Sequence, residues 1–394
     1  MNRIPFENSK FEKVRIRFLI SEKVKSKIQV SEAKSQNEAQ YPFFTSGENI
    51  LSFDKFLCDD ETIFLNTGGN ASVKFYNGKA SYSTDTYAIE SKNQNYCLTK
   101  FLFYCLNDTK FINDTFFEGS ALKHLQKDKF KNFRIPLPPL AEQERIAEFL
   151  DKKCASIDSS IENLEQKTKS LAQYKKALIT QCVTKGLNPK ILEFKDSEIP
   201  WIRQIPKHWE ISKIKYVAKI RSENSSFNTE NDKYIGLENV AGYLNSLIET
   251  NTEYENSIQA VCKKGDILFG KLRPYLSKVI IAPFNCFCSS EFLQFINLKC
   301  YFKFFYYFLL NKNFIENVNS STYGAKMPRA NSNYIMNLNF LVPPLNEQKE
   351  IAEFLDNKCE KIDRLNENYT KQIATLKEYK KSLIYECVTG KKEI

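Results

Sequence analysis

Histidine is nearly missing from this chain: of 394 residues only His124 and His208 are imidazoles. Imidazole is the commonest general acid–base group, so that chemistry has few candidates here. Eleven cysteines include no Cys-x-x-Cys, and Cys286-Phe287-Cys288 is a lone Cys-x-Cys. With so few histidines to complete a ligand set, no metal site is expected. An odd cysteine count in a long chain without a secretory leader points to reduced, buried thiols. No apolar run approaches the roughly 20 residues that span a bilayer, and the longest, Phe302 to Leu310, contains Lys303. The start, MNRIPFENSKFEK, has no apolar signal core, so a cytoplasmic location is expected.

Cofactor loops are missing as well. There is no Gly-x-Gly. Gly265-Asp266-Ile267-Leu268-Phe269-Gly270-Lys271 approaches a phosphate loop, but Leu272 has no hydroxyl for Mg²⁺. It reads instead as a turn at Gly265-Asp266 entering a buried strand. Pro138-Pro139 and Pro343-Pro344 lack the flanking polar and aromatic residues of an adenine methyltransferase loop. Asp59-Asp60-Glu61 reads as a charged turn before a strand rather than a nuclease carboxylate cluster. No catalytic set is expected, and a binding protein is.

What the chain does have is a long internal repeat. Pro138 to Thr184 and Pro343 to Thr389 align without a gap, with 26 of 47 positions identical by direct count. Such a repeat fixes architecture before any local feature does, and here it implies a duplicated unit with pseudo-twofold character. Pro-Pro marks a helix boundary, and residues 141–184 contain no glycine or proline. Leu150, Ile157, Leu164, Leu171 and Leu178 recur every seven residues, with Cys154, Ile161, Tyr174 and Cys182 beside them. Leu355, Ile362, Tyr369, Leu376 and Leu383 do the same in the second copy. Five heptads predict a coiled coil, about 65 Å long at ~1.5 Å per residue. The first helix should stop at the Gly186-Leu187-Asn188-Pro189 signal and the second near Gly390. The two stripes should bury each other in antiparallel pairing, with the globular segments then at opposite ends, and they serve partner docking as well.

The net charge of +10 is unevenly placed. Residues 141–184 carry seven basic and seven acidic groups, and residues 346–394 ten of each. The surplus falls on residues 1–140 (20 basic, 16 acidic) and 185–345 (20 and 14). A polyanion would bind there; the neutral helices suit protein partners.

These intervening segments read as mixed α/β. Strands are expected at 62–65, 73–76, 86–89, 234–237, 266–269 and 279–281, with Asn77-Gly78 as a hairpin turn. Helical stretches are expected at Tyr96 to Leu106 and Tyr301 to Leu310. A weaker duplication pairs Phe11-Glu12-Lys13-Val14-Arg15-Ile16-Arg17-Phe18 with Trp209-Glu210-Ile211-Ser212-Lys213-Ile214-Lys215-Tyr216. The fold expected is α+β: two mixed α/β domains joined by two long antiparallel helices. The boundaries are 1–136, 137–188, 189–341 and 342–394.

Basic–aromatic loops carry the functional signal. Lys271, Arg273, Tyr275 and Lys278 follow a strand; Lys326 and Arg329 lie in the loop from Thr322 to Arg329. At an offset of 205 residues, the counterpart of that loop runs from Phe117 to His124 and holds Lys123 and His124. Asn66, Thr67, Gly68 and Asn70 precede Lys74 and Tyr76. Lysine suits phosphate, while Arg, Asn and Thr suit base edges, so these fourteen residues are the candidate DNA contacts.

With these residues in view, the chain resembles the specificity subunits of type I restriction-modification systems. The resemblance rests on the duplicated Pro-Pro-Leu-x-Glu-Gln-x-x-Ile-Ala-Glu-Phe-Leu-Asp helices and the Ile205-Pro206-Lys207-His208-Trp209-Glu210 entry. It also rests on Gly265 to Phe269 with Lys271-Leu272-Arg273-Pro274-Tyr275, and on the loops at Gly119 and Gly324. The first unit departs from the pattern, having only Phe11-Glu12 for that entry. The resemblance implies two target recognition domains, each reading one half of a split, asymmetric sequence in double-stranded DNA. It implies helices that set the spacing, two docked modification (methyltransferase) subunits and restriction (translocase/nuclease) subunits. It implies a non-catalytic chain without its own cofactor, S-adenosylmethionine, ATP and Mg being held by the partners. Half-sites one helical turn, ~34 Å, apart lie within reach of such a rod. The alternatives are the DNA-reading subunit of a type IIB or stand-alone methyltransferase system, and a coiled-coil scaffold with no DNA role.

Overall fold

The computed structural model describes residues 6–230, 232–244, 246–250, 257–324 and 326–394. The chain divides into two units: residues 1–165 with 371–394, and residues 166–370. Both division points fall inside long helices, Leu140–Lys185 and Leu345–Val388. Each unit therefore owns one half of each helix.

In the first unit, six strands form one sheet in the order Ile20–Glu22, Thr86–Ser91, Cys58–Asn66, Val73–Tyr82, Tyr41–Phe44, Leu51–Phe53. All neighbours are antiparallel except Tyr41–Phe44, which runs parallel to Val73–Tyr82. Successive strand residues face opposite sides. Ile63 and Leu65 enter the main core with Phe101 and Leu102 of the helix Thr99–Cys105, while Phe64 joins Phe44 and Tyr82 on the other face. The main core takes Ile146, Leu150, Ile157 and Ile161 from the first long helix and Leu383, Ile384, Cys387 and Val388 from the second. Asp158 with Lys380 and Glu165 with Lys377 form ion pairs between them, so numbering rises on one helix as it falls on the other. The helices are antiparallel here.

The second unit holds two four-stranded sheets. One is ordered Lys219–Ile220, Phe292–Ile296, Ile267–Gly270, Val279–Ile281; the other Asn224–Phe227, Ser257–Cys262, Cys286–Cys288, Tyr234–Ile235. Its core gathers Trp209, Phe269, Phe295 and the helix Phe302–Leu309 around Ile351, Leu355 and Cys359 of one long helix and Ile179, Cys182 and Val183 of the other. Antiparallel pairing recurs: Lys175 meets Asp363, and Gly186 lies against Glu347.

The two units share a way of fixing helix to domain. Gln143 and Gln348, equivalent in the repeat, are buried. The Gln143 amide accepts from the Leu98 N–H at 2.9 Å and donates to the Tyr96 and Pro138 carbonyls. Gln348 accepts from the Tyr301 N–H at 2.8 Å and donates to the Pro343 carbonyl. Asp151 takes Lys100 and the Tyr104 hydroxyl; Asp356 takes Lys303 and the Tyr307 hydroxyl. These residues of the repeated motif thus face inward, onto their own domain. Both helices end on left-handed glycines, Gly186 (φ +74) and Gly390 (φ +71), whose N–H groups return to Cys182 and Cys387 carbonyls.

Several expectations need correction. Asn77-Gly78 is not a turn: both lie inside Val73–Tyr82, opposite Glu61 and Asp60. The chain reverses instead between Asn66 and Val73, where the Asn66 side chain donates to the Gly68 and Asn70 carbonyls and accepts from the Ser72 N–H. Asp59-Asp60-Glu61 is likewise within Cys58–Asn66, with Asp60 neutralised by Lys23. Tyr174 is exposed, and the seam position beside it is Lys175. The strand expected at 234–237 stops at Ile235, where a 3₁₀ turn over Leu237–Asn239 begins. In the heptad column, Leu150, Ile157, Leu355, Ile362 and Leu383 are buried, and Leu164, Leu171, Leu178, Tyr369 and Leu376 are half-buried. Ten of the eleven cysteines are buried.

Candidate nucleic-acid interface

In the first unit the strand Cys58–Asn66 delivers Thr67, Gly68 and Asn70 to a loop that a second loop, from Gly119 to His124, stitches in place. Gly68 bridges His124, the Gly69 N–H donates to the Lys123 carbonyl at 2.9 Å, and the Leu125 N–H to the Thr67 carbonyl at 3.0 Å. Gly119 makes this possible. Its φ is +140, and a Cβ there would sit 2.3 Å from the Leu122 carbonyl oxygen. Asn70, Lys123 and His124 are exposed on the paired loops, and Thr67 and Gly68 are half-exposed.

The remaining first-unit candidates are held differently. Asn66 is buried and spends its amide on the turn. Lys74 donates to the Thr45 and Gly47 carbonyls, and burial lowers its pKa. Tyr76 is half-buried, its ring 5.7 Å from Phe44.

The second unit repeats the two-loop design. Ile267–Gly270 runs into Lys271, the Lys271 carbonyl accepts from the Ala330 N–H at 3.0 Å, and the Arg273 N–H donates to the Pro328 carbonyl at 2.8 Å. Leu272 and Tyr323 both bridge Arg329. Arg273 is in the left-handed region (φ +51) and exposed, as are Tyr275 and Lys326. Among the described residues, Arg273 and Lys326 have no ion-pair partner. Arg329 is bound to Glu291, with Nη2 at 2.7 Å, and Lys278 donates to the Leu237 carbonyl. The loop expected at 322–329 includes Ala325, which lies outside the described residues.

A cluster that the sequence did not flag sits next to the first pair of loops. The helix Lys127–Asn132 begins two residues after Leu125. Lys127 lies 4.1 Å over the Tyr87 ring, and its pKa is lowered by burial and by Lys131 and Lys25 against the opposing pull of Glu22. Burial pushes the Glu22 carboxyl up, but the Lys131 ammonium paired with it outweighs that and leaves its pKa lowered. Lys127 and Lys131 thus both act on one carboxylate, and Lys25 acts on Lys127 in turn, a cationic excess that favours an anion. More than 100 residues separate Lys25 from Lys127, so no local pattern could have revealed the group.

Among the described residues, no group of three or more His, Cys, Asp or Glu side chains is placed to hold a metal. No helix among them is long and apolar enough to cross a membrane. The arrangement can present cations and hydrogen-bond donors on backbone-fixed loops.

Comparison with known proteins gives this geometry its context. The specificity subunit of the EcoDI type I restriction enzyme of Escherichia coli is 25% identical over 378 residues, covering 90% of this chain and 83% of that protein. The MjaVIII specificity subunit of Methanocaldococcus jannaschii is 28% identical over 350 residues, covering 84% and 79%. A solved structure, described as the structural basis of complex assembly and conformational transition of the type I R-M system, has the same fold. It superposes with a TM-score of 0.66 at 15% identity, over 96% of this chain and 97% of that one. The family model described as the type I restriction modification DNA specificity domain matches twice, at residues 8–172 and 206–375, once for each copy of the duplicated unit; the chain belongs to that family.

Proposed function

We propose that this DNA-recognition subunit reads a bipartite, asymmetric target, one half with each pair of stitched loops. The carrying observation is that the loops share their backbone construction but not their side chains. Glycines 205 residues apart, Gly119 and Gly324, turn equivalent loops with positive φ. The first pair displays Thr67, Asn70, Lys123 and His124, the second Lys271, Arg273, Tyr275 and Lys326. Arg273 is the favoured base reader, because its guanidinium is unpaired on a tip fixed by Pro328. Lys25, Lys123, Lys127 and Lys326 suit phosphate. Asn66, Lys74, Lys278 and Arg329 act as loop supports.

The chain itself performs no catalysis in this reading. It works in the cytoplasm with two modification subunits docked on the helical regions and with restriction subunits, and those partners hold S-adenosylmethionine, ATP and Mg. The domain boundaries 1–136, 137–188, 189–341 and 342–394 describe recognition and helical segments. The test is adenine-methylation mapping of DNA from cells that express this chain with its methyltransferase partner. A split motif with two unequal halves is expected, and Arg273→Ala should blur one half while sparing the other. A palindromic or undivided motif, or equal loss at both halves, overturns the proposal.

A further inference from the structure

Each unit exposes one large aromatic ring at the same place, and nothing in the unit's own fold requires it. The strand Lys13–Arg15 pairs with Arg134–Pro136 and leads into the short helix Ile16–Leu19; Glu210–Lys213 pairs with Asn339–Val342 and leads into Ile214–Val217. In both helices the first residue, Ile16 or Ile214, is fully buried. The third residue is Phe18, 63% exposed, in one and Tyr216, 60% exposed, in the other. A single exposed ring is ordinary; its recurrence at the equivalent position of both units is what calls for a cause.

Exposed cations neighbour both rings along the chain. Arg15 and Arg17 are exposed beside Phe18, and Arg15 lies directly opposite Arg134 across the strand pair. Like charges placed so are unfavourable on their own. Among the described residues, none of the three arginines has an ion-pair partner. Lys213 and Lys215 are the exposed counterparts beside Tyr216, with the Lys215 ammonium 5.3 Å from its ring.

The topology separates these rings from the recognition loops. In the first unit, Ile20 pairs with Ser91 at one end of the strand Thr86–Ser91, while Asn66, where the recognition loop begins, pairs with Thr86 at the other. Five residues of extended chain span about 17 Å. In the second unit, Lys219 pairs with Ile296 and Gly270 with Phe292, again at opposite ends of one strand, about 13 Å apart. The rings therefore stand at the ends of the sheets away from the loops. They are next to the strands that run through Pro-Pro into the long helices.

We infer that Phe18 and Tyr216 are equivalent docking points for two copies of one protein partner, the methyltransferase subunit, each ring entering an apolar pocket rimmed by acidic side chains. This deepens the proposed function and rests on it: the rings extend the footprint of a partner docked on the helical regions onto the adjoining recognition domain. A feature kept in both copies while the reading loops diverge must face something identical on both sides. Duplex backbone offers no apolar pocket for a ring, whereas a protein interface is anchored by aromatics of this kind.

The test is native mass spectrometry of the full chain co-purified with its methyltransferase subunit, together with binding of the chain alone to duplex DNA at several salt concentrations. Wild type is expected to carry two copies. Phe18→Asp and Tyr216→Asp should each leave one copy, with affinity for the second reduced at least tenfold, and the double variant should carry none. Binding of the chain alone to duplex DNA should stay within twofold. Phe18→Ala and Tyr216→Ala should act in the same direction and serve if either aspartate variant loses its thermal transition. Single variants that retain both copies at wild-type affinity overturn the inference. So does loss of DNA binding with partner binding intact, which would assign the rings to DNA. A wild-type chain that takes up no methyltransferase at all would instead sink the proposed function, so the two failures are distinguishable.

Discussion

Lys175 with Asp363 and Lys380 with Asp158 are the same ion pair twice, since both members are offset by 205 residues, yet the two copies live in different surroundings. In the second unit, Lys175 is 7% exposed, meets both Asp363 oxygens at 2.7 Å and also donates to the Tyr243 carbonyl. In the first, Lys380 is 26% and Asp158 56% exposed. The duplication preserved the chemistry, while local packing set its weight. Solvent screens the first-unit pair and leaves it a small contribution. Desolvation makes the other a pair whose breakage leaves a buried charge uncompensated.

The comparison can be broken most forcefully at Asp363. Asp363→Ala, which strands the Lys175 ammonium, should cost about 3 kcal/mol in denaturant unfolding of the full chain; a loss comparable to that of Asp158→Ala would show that the copies are energetically alike. Next come the loop glycines. Gly119→Ala forces a Cβ against the Leu122 carbonyl and should cost ~2–3 kcal/mol locally, whereas Gly324→Ala meets the Met327 carbonyl at 3.2 Å and should cost less. Methylation mapping should show only the first half-site blurred by Gly119→Ala. Gln143→Leu and Gln348→Leu should each cost ~1–3 kcal/mol, the former more because it orphans three main-chain partners rather than two; paired thermal melts would test the order. Smallest is Lys380→Ala, expected to cost under about 1 kcal/mol and to become undetectable at high salt.

How much of this was legible beforehand follows from where each signal resides. The repeat was visible because identity over a gapless alignment needs no three-dimensional knowledge. Helix limits were visible because Pro-Pro and Gly186 act on backbone geometry within a turn of where they stand. The Asn77-Gly78 signal failed because continuous pairing with Cys58–Asn66, which runs through both residues, outweighed a local turn preference. Asn66 did the turning, with the side-chain amide that its loop composition had offered to DNA. Tyr174 was placed beside the seam on hydrophobicity alone, although the seven-residue count through Cys154, Ile161 and Cys182 falls on Lys175. The loops were found by composition, but which of their cations are already occupied was not. The bonds of Arg329 to Glu291 and of Lys74 to two carbonyls join residues 38, 29 and 27 positions apart.

The division of the chain carries a consequence in time. The second unit is one continuous stretch, residues 166–370, while the first is completed only by residues 371–394. At typical synthesis rates of 5–20 residues per second, the intervening stretch takes roughly 10–40 s to make. Throughout that interval, Leu150, Ile157 and Ile161 lack the Leu383, Ile384 and Val388 with which they share a core. The domain begun first is thus the one finished last, and its apolar helix face waits exposed while its younger twin can already fold.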